Sequence, residues 1–245
     1  MNLSPINQTK LYGLENYLND FIRLYNDNNL PNKILLSGLK GIGKCTLAYH
    51  LINFILSENE EYPYDLNELK INFSSKTFKL IQNGTNPNFY SIDISPDKKN
   101  IDINQIRNLI TDLNKSSFNS KPRFVLIDNI EYLNLNSVNA LLKILEEPNN
   151  NIYFILIHNN KRIIQTLLSR CLNFKISLNN NQIDKINHCL FGDNIKNLIN
   201  DDFINYYNTP GNVYDLLKFA KEKDIDLKEI RLKDFLSLVI DKSYF

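Results

Sequence analysis

Gly38-Leu39-Lys40-Gly41-Ile42-Gly43-Lys44 sets three glycines and a lysine in GxxxxGK spacing, a pattern whose chemistry is phosphate binding. Glycines let successive backbone N–H groups turn inward around an anion, and the Lys44 ammonium adds a point charge at the same place. A second candidate is Asp128, the carboxylate that closes the apolar run from Phe124 to Ile127. If that run is a strand of a parallel sheet, Asp128 stands at its carboxyl end, where such sheets bind ligands. Other reactive residue types read more plainly. Glu146 and Glu147 suggest a paired acid–base site, but they end an exposed helix before Pro148, where such pairs are ordinarily solvated. His158 is a lone imidazole after a strand and reads as a structural hydrogen-bonding group. Cys45, Cys171 and Cys189 lie far apart without CxxC spacing. They predict neither a disulfide framework nor a metal site and suit a reducing cytosol, with Cys171 a small core residue.

These side chains need elements to hold them. Residues 34–37 form an apolar strand that feeds the glycine loop, and the following run is helical, so the GxxxxGK pattern sits in strand–loop–helix context. Residues 124–127 and 152–157 are wholly apolar and β-rich, as in strands covered on both faces. Between them, 137–147 has helical spacing, with Val138, Leu141, Leu142 and Leu145 on one stripe and Pro148 as its stop. This is a βαβ unit of a parallel sheet. A helix over 13–25, a strand over 89–94, a helix over 101–113 opened by Asp102, and a last strand over 173–178 complete the alternation. Residues 57–87 are a polar, aromatic-dotted insertion of weak periodicity to which no role is assigned. Beyond 178 the pattern turns all-helical, with segments near 180–190, 194–206 and 212–222 and a final amphipathic stretch over 227–240 that has little left to pack against. The expected fold is therefore α/β, with domains at 1–177, 178–225 and a short helical segment at 226–245.

Composition bounds the function. A net charge of +1 over 245 residues leaves no electrostatic footprint of the kind that dominates nucleic-acid binding, so any DNA contact is local or shared with partners. The N-terminus carries no signal-peptide pattern and no apolar run approaches a membrane span, so a soluble, cytoplasmic protein without membrane partners is expected.

The stretches LPNKILLSGLKGIGK, NPNFYSIDI, INQIRNL, NALLKILEEP and LLSRC, in this order and spacing, resemble the AAA+ subunits of the bacterial replicative clamp loader over roughly residues 10–220. The residues from Asn86 to Arg107 and the altered nucleotide loop are more similar to the delta prime type of DNA polymerase III than to the gamma/tau motor type. The resemblance implies a RecA-like P-loop domain, a helical lid, and a collar domain of which 226–245 is a remnant or a beginning. It implies as partners the gamma/tau and delta subunits and, through the complex, the sliding clamp and primed DNA. It also implies that Arg170, in Ser169-Arg170-Cys171, is an arginine finger acting in trans, the plain alternative being a surface ion pair. The degenerate nucleotide site would comprise Gly38, Gly41, Gly43, Lys44, Cys45, Thr46 and Asp128.

Against an active ATPase of this family the chain departs at three places. The residue after the lysine is ordinarily Ser or Thr, whose hard hydroxyl oxygen ligates Mg²⁺, whereas Cys45 is a soft thiol. Thr46 does not replace it, because one helical residue rotates a side chain by roughly 100°. Asp128 is followed by Asn129 where motors carry a glutamate that orients water, and an amide is no general base. Glu131 is the rival acid, with a side chain expected to face elsewhere. Thr209-Pro210-Gly211 resembles the sensor-two region, yet Asn212 and Val213 supply no arginine. The expectation is a largely non-hydrolysing delta prime-like stator, itself without ATPase activity and requiring no cofactor. Whether the loop still takes residual ATP, ADP or phosphate, or only ties strand to helix, stays open. The competing readings are an active gamma/tau-like P-loop ATPase and a stand-alone nucleotide sensor.

Overall fold

The β-rich runs assemble as β1 (Lys33–Ser37), β2 (Phe89–Ile92), β3 (Arg123–Ile127), β4 (Ile152–His158) and β5 (Leu172–Lys175). In the computed structural model, which describes residues 3–95, 97–116, 119–146, 151–159, 165–193, 195–206 and 209–242, they form one parallel sheet ordered β2-β3-β4-β1-β5. The interior strands are those with unbroken apolar runs. Phe124, Val125, Leu126 and Ile127 on β3 are each 0% exposed, as required of a strand covered on both faces. The chain divides into two units by its contacts, Met1–Leu39 with Lys44–Ile176, and Lys40–Gly43 with Ser177–Phe245.

In the first unit the helices are α1 (Glu15–Asn26), α2 (Lys44–Ser57), α3 (Lys76–Gln82), α4 (Ile103–Leu113), α5 (Leu135–Glu146) and α6 (Gln165–Leu168). Helix α4 is opened by Asp102 through a capping box with Gln105. The same Gln105 donates through Nε2 to the Asp93 carbonyl at 3.0 Å, and β2 stops at Ile92 rather than continuing to Ile94. Ile106, Leu109 and Leu113 of α4 join Val138, Leu141 and Leu145 of α5 against the sheet residues Val125, Ile127, Phe154 and Leu156. The expected stop of α5 at Glu147-Pro148 lies outside the described residues.

The insertion over 57–87 is ordered, contrary to what its weak periodicity suggests. Tyr64, Ile71, Phe78 and Ile81 are buried. The Glu60 carboxylate collects the Thr77 N–H (2.9 Å), the Thr77 hydroxyl (2.6 Å) and the Ser75 hydroxyl (2.8 Å), which fixes the N-terminus of α3. Helix periodicity does not report such an arrangement, because polar contacts between distant residues hold it.

The second unit contains α7 (Asn180–Phe191), α8 (Ile195–Leu198), α9 (Asp201–Ile204), α10 (Pro210–Glu222) and α11 (Leu232–Asp241). The segment expected as one helix over 194–206 is two short ones. Asn200 caps α9 and spends its own N–H on the Leu227 carbonyl at 2.8 Å, so no helical bond runs through it. The last helix is not short of packing, as was expected. Phe235 is 4% exposed, with ring centroids 5.4 Å from Phe203 and 6.0 Å from Phe219, so this aromatic cluster ties α11 into the core of the helical unit.

His50 on α2 lies in the interior with Nδ1 2.7 Å from the Tyr64 hydroxyl, and burial holds its pKa down to about 4. The unfolded chain therefore takes up a proton, between its ordinary value near 6.5 and about 4, that the fold refuses. The stability this group contributes is complete above that window and is lost as pH falls through it. Denaturant titrations from pH 7 to pH 4 should show a loss on the order of 2–3 kcal/mol from this residue. His50→Gln, which keeps a polar partner for Tyr64, should flatten that part of the profile; an unchanged slope would place the titration elsewhere.

Candidate functional site

Parallel register decides which side chains meet. Ser37 is level with His158, Ile127 with Leu156, and Ile92 with Ile127. The residues just beyond β1, β2, β3 and β4 are Gly38, Asp93, Asp128 and Asn159, and they leave the sheet at its carboxyl end together. Lys44, the first residue of α2, is 4% exposed. Its ammonium donates to the carbonyls of Gly38 (2.9 Å) and Leu39 (2.7 Å) and to Oδ1 of Asn159 (2.8 Å), so all three of its N–H bonds are taken. Desolvation lowers its pKa to about 8 against the opposing pull of Asp128 and Glu131, which leaves it a cation at neutral pH.

Asn129 occupies the left-handed region, φ 55° and ψ 44°, a conformation that asparagine tolerates better than most residues. Its Nδ2 donates to Asp93 Oδ1 at 2.8 Å, and its Oδ1 accepts from Asn159 Nδ2 at 2.8 Å. A continuous chain thus runs Asp93–Asn129–Asn159–Lys44. An amide both donates and accepts in this way, whereas a carboxylate here would face Asp93 with like charge. Asp93 and Asn159 escaped the sequence reading. The available signal was their place one residue past a strand, akin to the signal that singled out Asp128.

Glu131 corrects an expectation. The left-handed turn at Asn129 leads into a single 3-10 turn, Ile130–Tyr132, which brings Glu131 back to the site. Its Oε2 lies 3.4 Å from the Asn159 N–H, its charge acts on Lys44, and its Oε1 is buried with no protein partner among the described residues.

The Cys45 thiol is hydrogen-bonded to Asp128, and burial together with that carboxylate's charge pushes its pKa well up, so it remains a protonated donor. Asp128 also accepts the Asn129 N–H at 2.7 Å. Desolvation, helped by Asp93, lifts the Asp128 pKa to about 6 against Cys45, the Asn129 amide and Lys44. A magnesium ion wants hard oxygen ligands. At the position after the lysine it would meet a protonated sulfur already committed to Asp128, and half-buried Thr46 lies one residue further round α2. These residues do not fit Mg²⁺, and no step is derived through it.

The loop tip has a second reason for its glycines. Lys40–Gly43 groups with the helical unit, where the Gly211 N–H donates to the Gly41 carbonyl at 2.9 Å and the Thr209 hydroxyl to the Lys40 carbonyl at 2.8 Å. Gly41 has φ +83°, and a Cβ there would stand 2.6 Å from Thr209 Oγ1. Thr209 also caps α10 by accepting from the Asn212 N–H, and Val213 is fully buried in the core of this unit.

Arg170 follows α6, and its guanidinium is paired. Nε and Nη2 donate to Glu146 Oε1 at 3.1 and 2.5 Å, and Nη1 donates to the Thr166 carbonyl at 3.1 Å. Glu146 is therefore ion-paired rather than merely solvated; Glu147 lies outside the described residues. Ser169 bonds the Thr166 carbonyl at 3.1 Å through Oγ. Cys171 is half-buried against the main core, and burial lifts its thiol to about 11. His158 is 7% exposed on the last residue of β4.

A family model described as DNA polymerase III, delta subunit, matches residues 13–180. A DNA polymerase III subunit delta' of Pseudomonas aeruginosa is 32% identical over 139 residues, 56% of this chain and 40% of that protein. A DNA polymerase III subunit gamma of Buchnera aphidicola (Acyrthosiphon pisum) is 32% identical over 145 residues, 59% of this chain and 38% of that one. The chain thus spans less than half the length of these curated relatives. Among solved structures, the RuvB Holliday junction branch migration motor of Thermotoga maritima superimposes with TM-score 0.50 at 18% identity, covering 96% of this chain and 72% of that one. The sheet and its flanking helices are those of a RecA-like AAA+ P-loop protein.

The raised acid at Asp128 has a definite sign. The fold holds its proton between about pH 6 and the ordinary 3.8, so its charge weighs against the fold at neutral pH and ceases to do so in acid. Asp128→Asn keeps an acceptor for Cys45 and should stabilise the chain at pH 7 by on the order of 1–3 kcal/mol. The gain should shrink toward pH 4. Paired denaturation curves at the two pH values check it, and equal stability at pH 7 would mean that Lys44 and Cys45 fully offset the burial.

Proposed function

This chain belongs to the DNA polymerase III, delta subunit family, and from that membership we propose that it works as a delta prime-like stator of the bacterial replicative clamp loader. In this reading it helps to load the sliding clamp onto primed DNA beside gamma/tau and delta subunits, hydrolyses little or no ATP itself, and supplies Arg170 in trans to a neighbouring ATPase subunit. The single observation that carries it is the Asp93–Asn129–Asn159–Lys44 chain. The position that would orient water is an amide holding two neighbours in place, and the lysine's donors are spent on the protein. A protonated Cys45 bound to Asp128 supports the same conclusion, as does the lack of an arginine at Asn212-Val213. Residual ATP, ADP or phosphate binding at the loop is compatible with it, since the backbone N–H groups of the loop remain of the right kind.

One observation favours the motor reading, to which the gamma-named relative also belongs. Glu131 faces the site with a buried, unpartnered oxygen, as an acid that holds water would.

Steady-state ATP turnover by the isolated chain, with Lys44→Ala and Glu131→Gln alongside, decides between them. The stator reading expects background hydrolysis in all three. Turnover above about 0.1 per second, abolished by both substitutions, would restore the motor, since phosphoryl transfer by such machines runs on that order or faster. In loaders reconstituted with motor subunits, clamp and primed DNA, Arg170→Ala should lower total ATPase partially and clamp loading further. Arg170→Lys should rescue poorly, because an ammonium lacks the planar fork.

A further inference from the structure

The pairing of Arg170 is selective about which part of the guanidinium it uses. The group carries five N–H bonds in a rigid plane. Nε and Nη2, which form its side edge, both donate to Glu146 Oε1, at 3.1 and 2.5 Å. Nη1 gives one N–H to the Thr166 carbonyl, four residues back along the same turn, at 3.1 Å. One N–H on each terminal nitrogen is then left over, and no described residue takes either. These two form the end of the fork, the arrangement that grips two oxygens of a phosphate. The side chain is 32% exposed, and its side edge is held by Glu146.

We infer that Glu146, on the last turn of α5, is a positioning residue for Arg170: it fixes the plane and direction of the guanidinium so that the end of the fork is presented to an anion outside this chain. The anion is a phosphate of nucleotide on an adjacent subunit, and this rests on the trans-arginine reading given above. The physical gain is preorganisation. A free arginine samples many rotamers and must lose them when it engages, whereas a side chain already clamped on two sides enters the reaction in place. Because both partners are partly exposed, the pair contributes little to the stability of the fold. Its effect therefore belongs in rate rather than in folding.

The experiment uses the reconstituted loader with clamp and primed DNA, carrying Glu146→Ala, Glu146→Gln, Arg170→Ala and the Glu146→Ala/Arg170→Ala double variant. The measurements are kcat and KM for ATP, clamp-loading rate, melting temperature and assembly by sizing. The expected result is that Glu146→Ala lowers kcat by most of the Arg170→Ala deficit with KM within about twofold. Glu146→Gln, which keeps an oxygen acceptor, should recover part of the loss. The double variant should be no worse than Arg170→Ala alone, since Glu146 acts only through Arg170. Melting and assembly should stay near wild type for all four. If Glu146→Ala equals or exceeds wild type while Arg170→Ala is impaired, the positioning claim fails and the trans arginine survives. If the two deficits add, Glu146 acts by another route and the claim fails as well. If Arg170→Ala itself changes nothing, the underlying reading falls, and the inference with it.

Discussion

A buried ammonium must be surrounded by acceptors, and this requirement at Lys44 organises the carboxyl end of the sheet. With 4% of its surface exposed, Lys44 would be costly without three partners, because an unpaired buried charge is among the most destabilising features a fold can carry. Two partners come from the loop that precedes it, Gly38 and Leu39, and the third is Asn159 beyond β4. Asn159 meets this demand only while its amide is itself oriented, and Asn129 orients it. Asn129 is anchored in turn by Asp93, next to β2. One charge thus links the ends of four neighbouring strands. The order β2-β3-β4-β1 is what makes such a chain geometrically possible.

The same requirement explains why an amide stands at position 129. A glutamate at position 129 would add a carboxylate beside Asp93 and Asp128, whose proximity already helps to lift the Asp128 pKa to about 6. It would also lose the donor that Asp93 uses. Asparagine suits the left-handed backbone at this position and satisfies both neighbours. Cys45 follows the same logic, since a thiol too soft for magnesium is a competent donor to the Asp128 carboxylate.

What the sequence made legible was whatever depends on local pattern. Uninterrupted apolar runs marked β3 and β4, helical spacing marked α4 and α5, and GxxxxGK in its strand–loop–helix setting marked the loop. What escaped it depends on register or on a single backbone angle. Nothing local to Asp93 tells that it lies beside Asp128, which follows only from Ile92 pairing with Ile127. Glu131 was expected to face elsewhere, and the positive φ of Asn129, which leads into the turn that brings it back, is not legible in the local pattern. Residues 57–87 looked irregular because Glu60, Ser75 and Thr77 hold them through polar contacts that no periodicity records. Helix α11 looked unsupported because its aromatic partners, Phe203 and Phe219, lie well upstream in the chain.

The residues of this loop answer to more than one demand. Gly41 suits a loop that cradles an anion, and it also leaves room for the Thr209 hydroxyl and the Gly211 backbone, where a side chain would collide. Lys44 carries a charge that suits a phosphate, and it also closes the loop on itself and on Asn159. Removing either would disturb packing whether or not nucleotide binds. At position 129 the neighbours set the demand: an acid there would add like charge beside Asp93 and Asp128, whereas the amide serves both Asp93 and Asn159. Gly41 and Lys44 therefore hold the loop whatever it binds, and Asn129 holds the strand ends that support it.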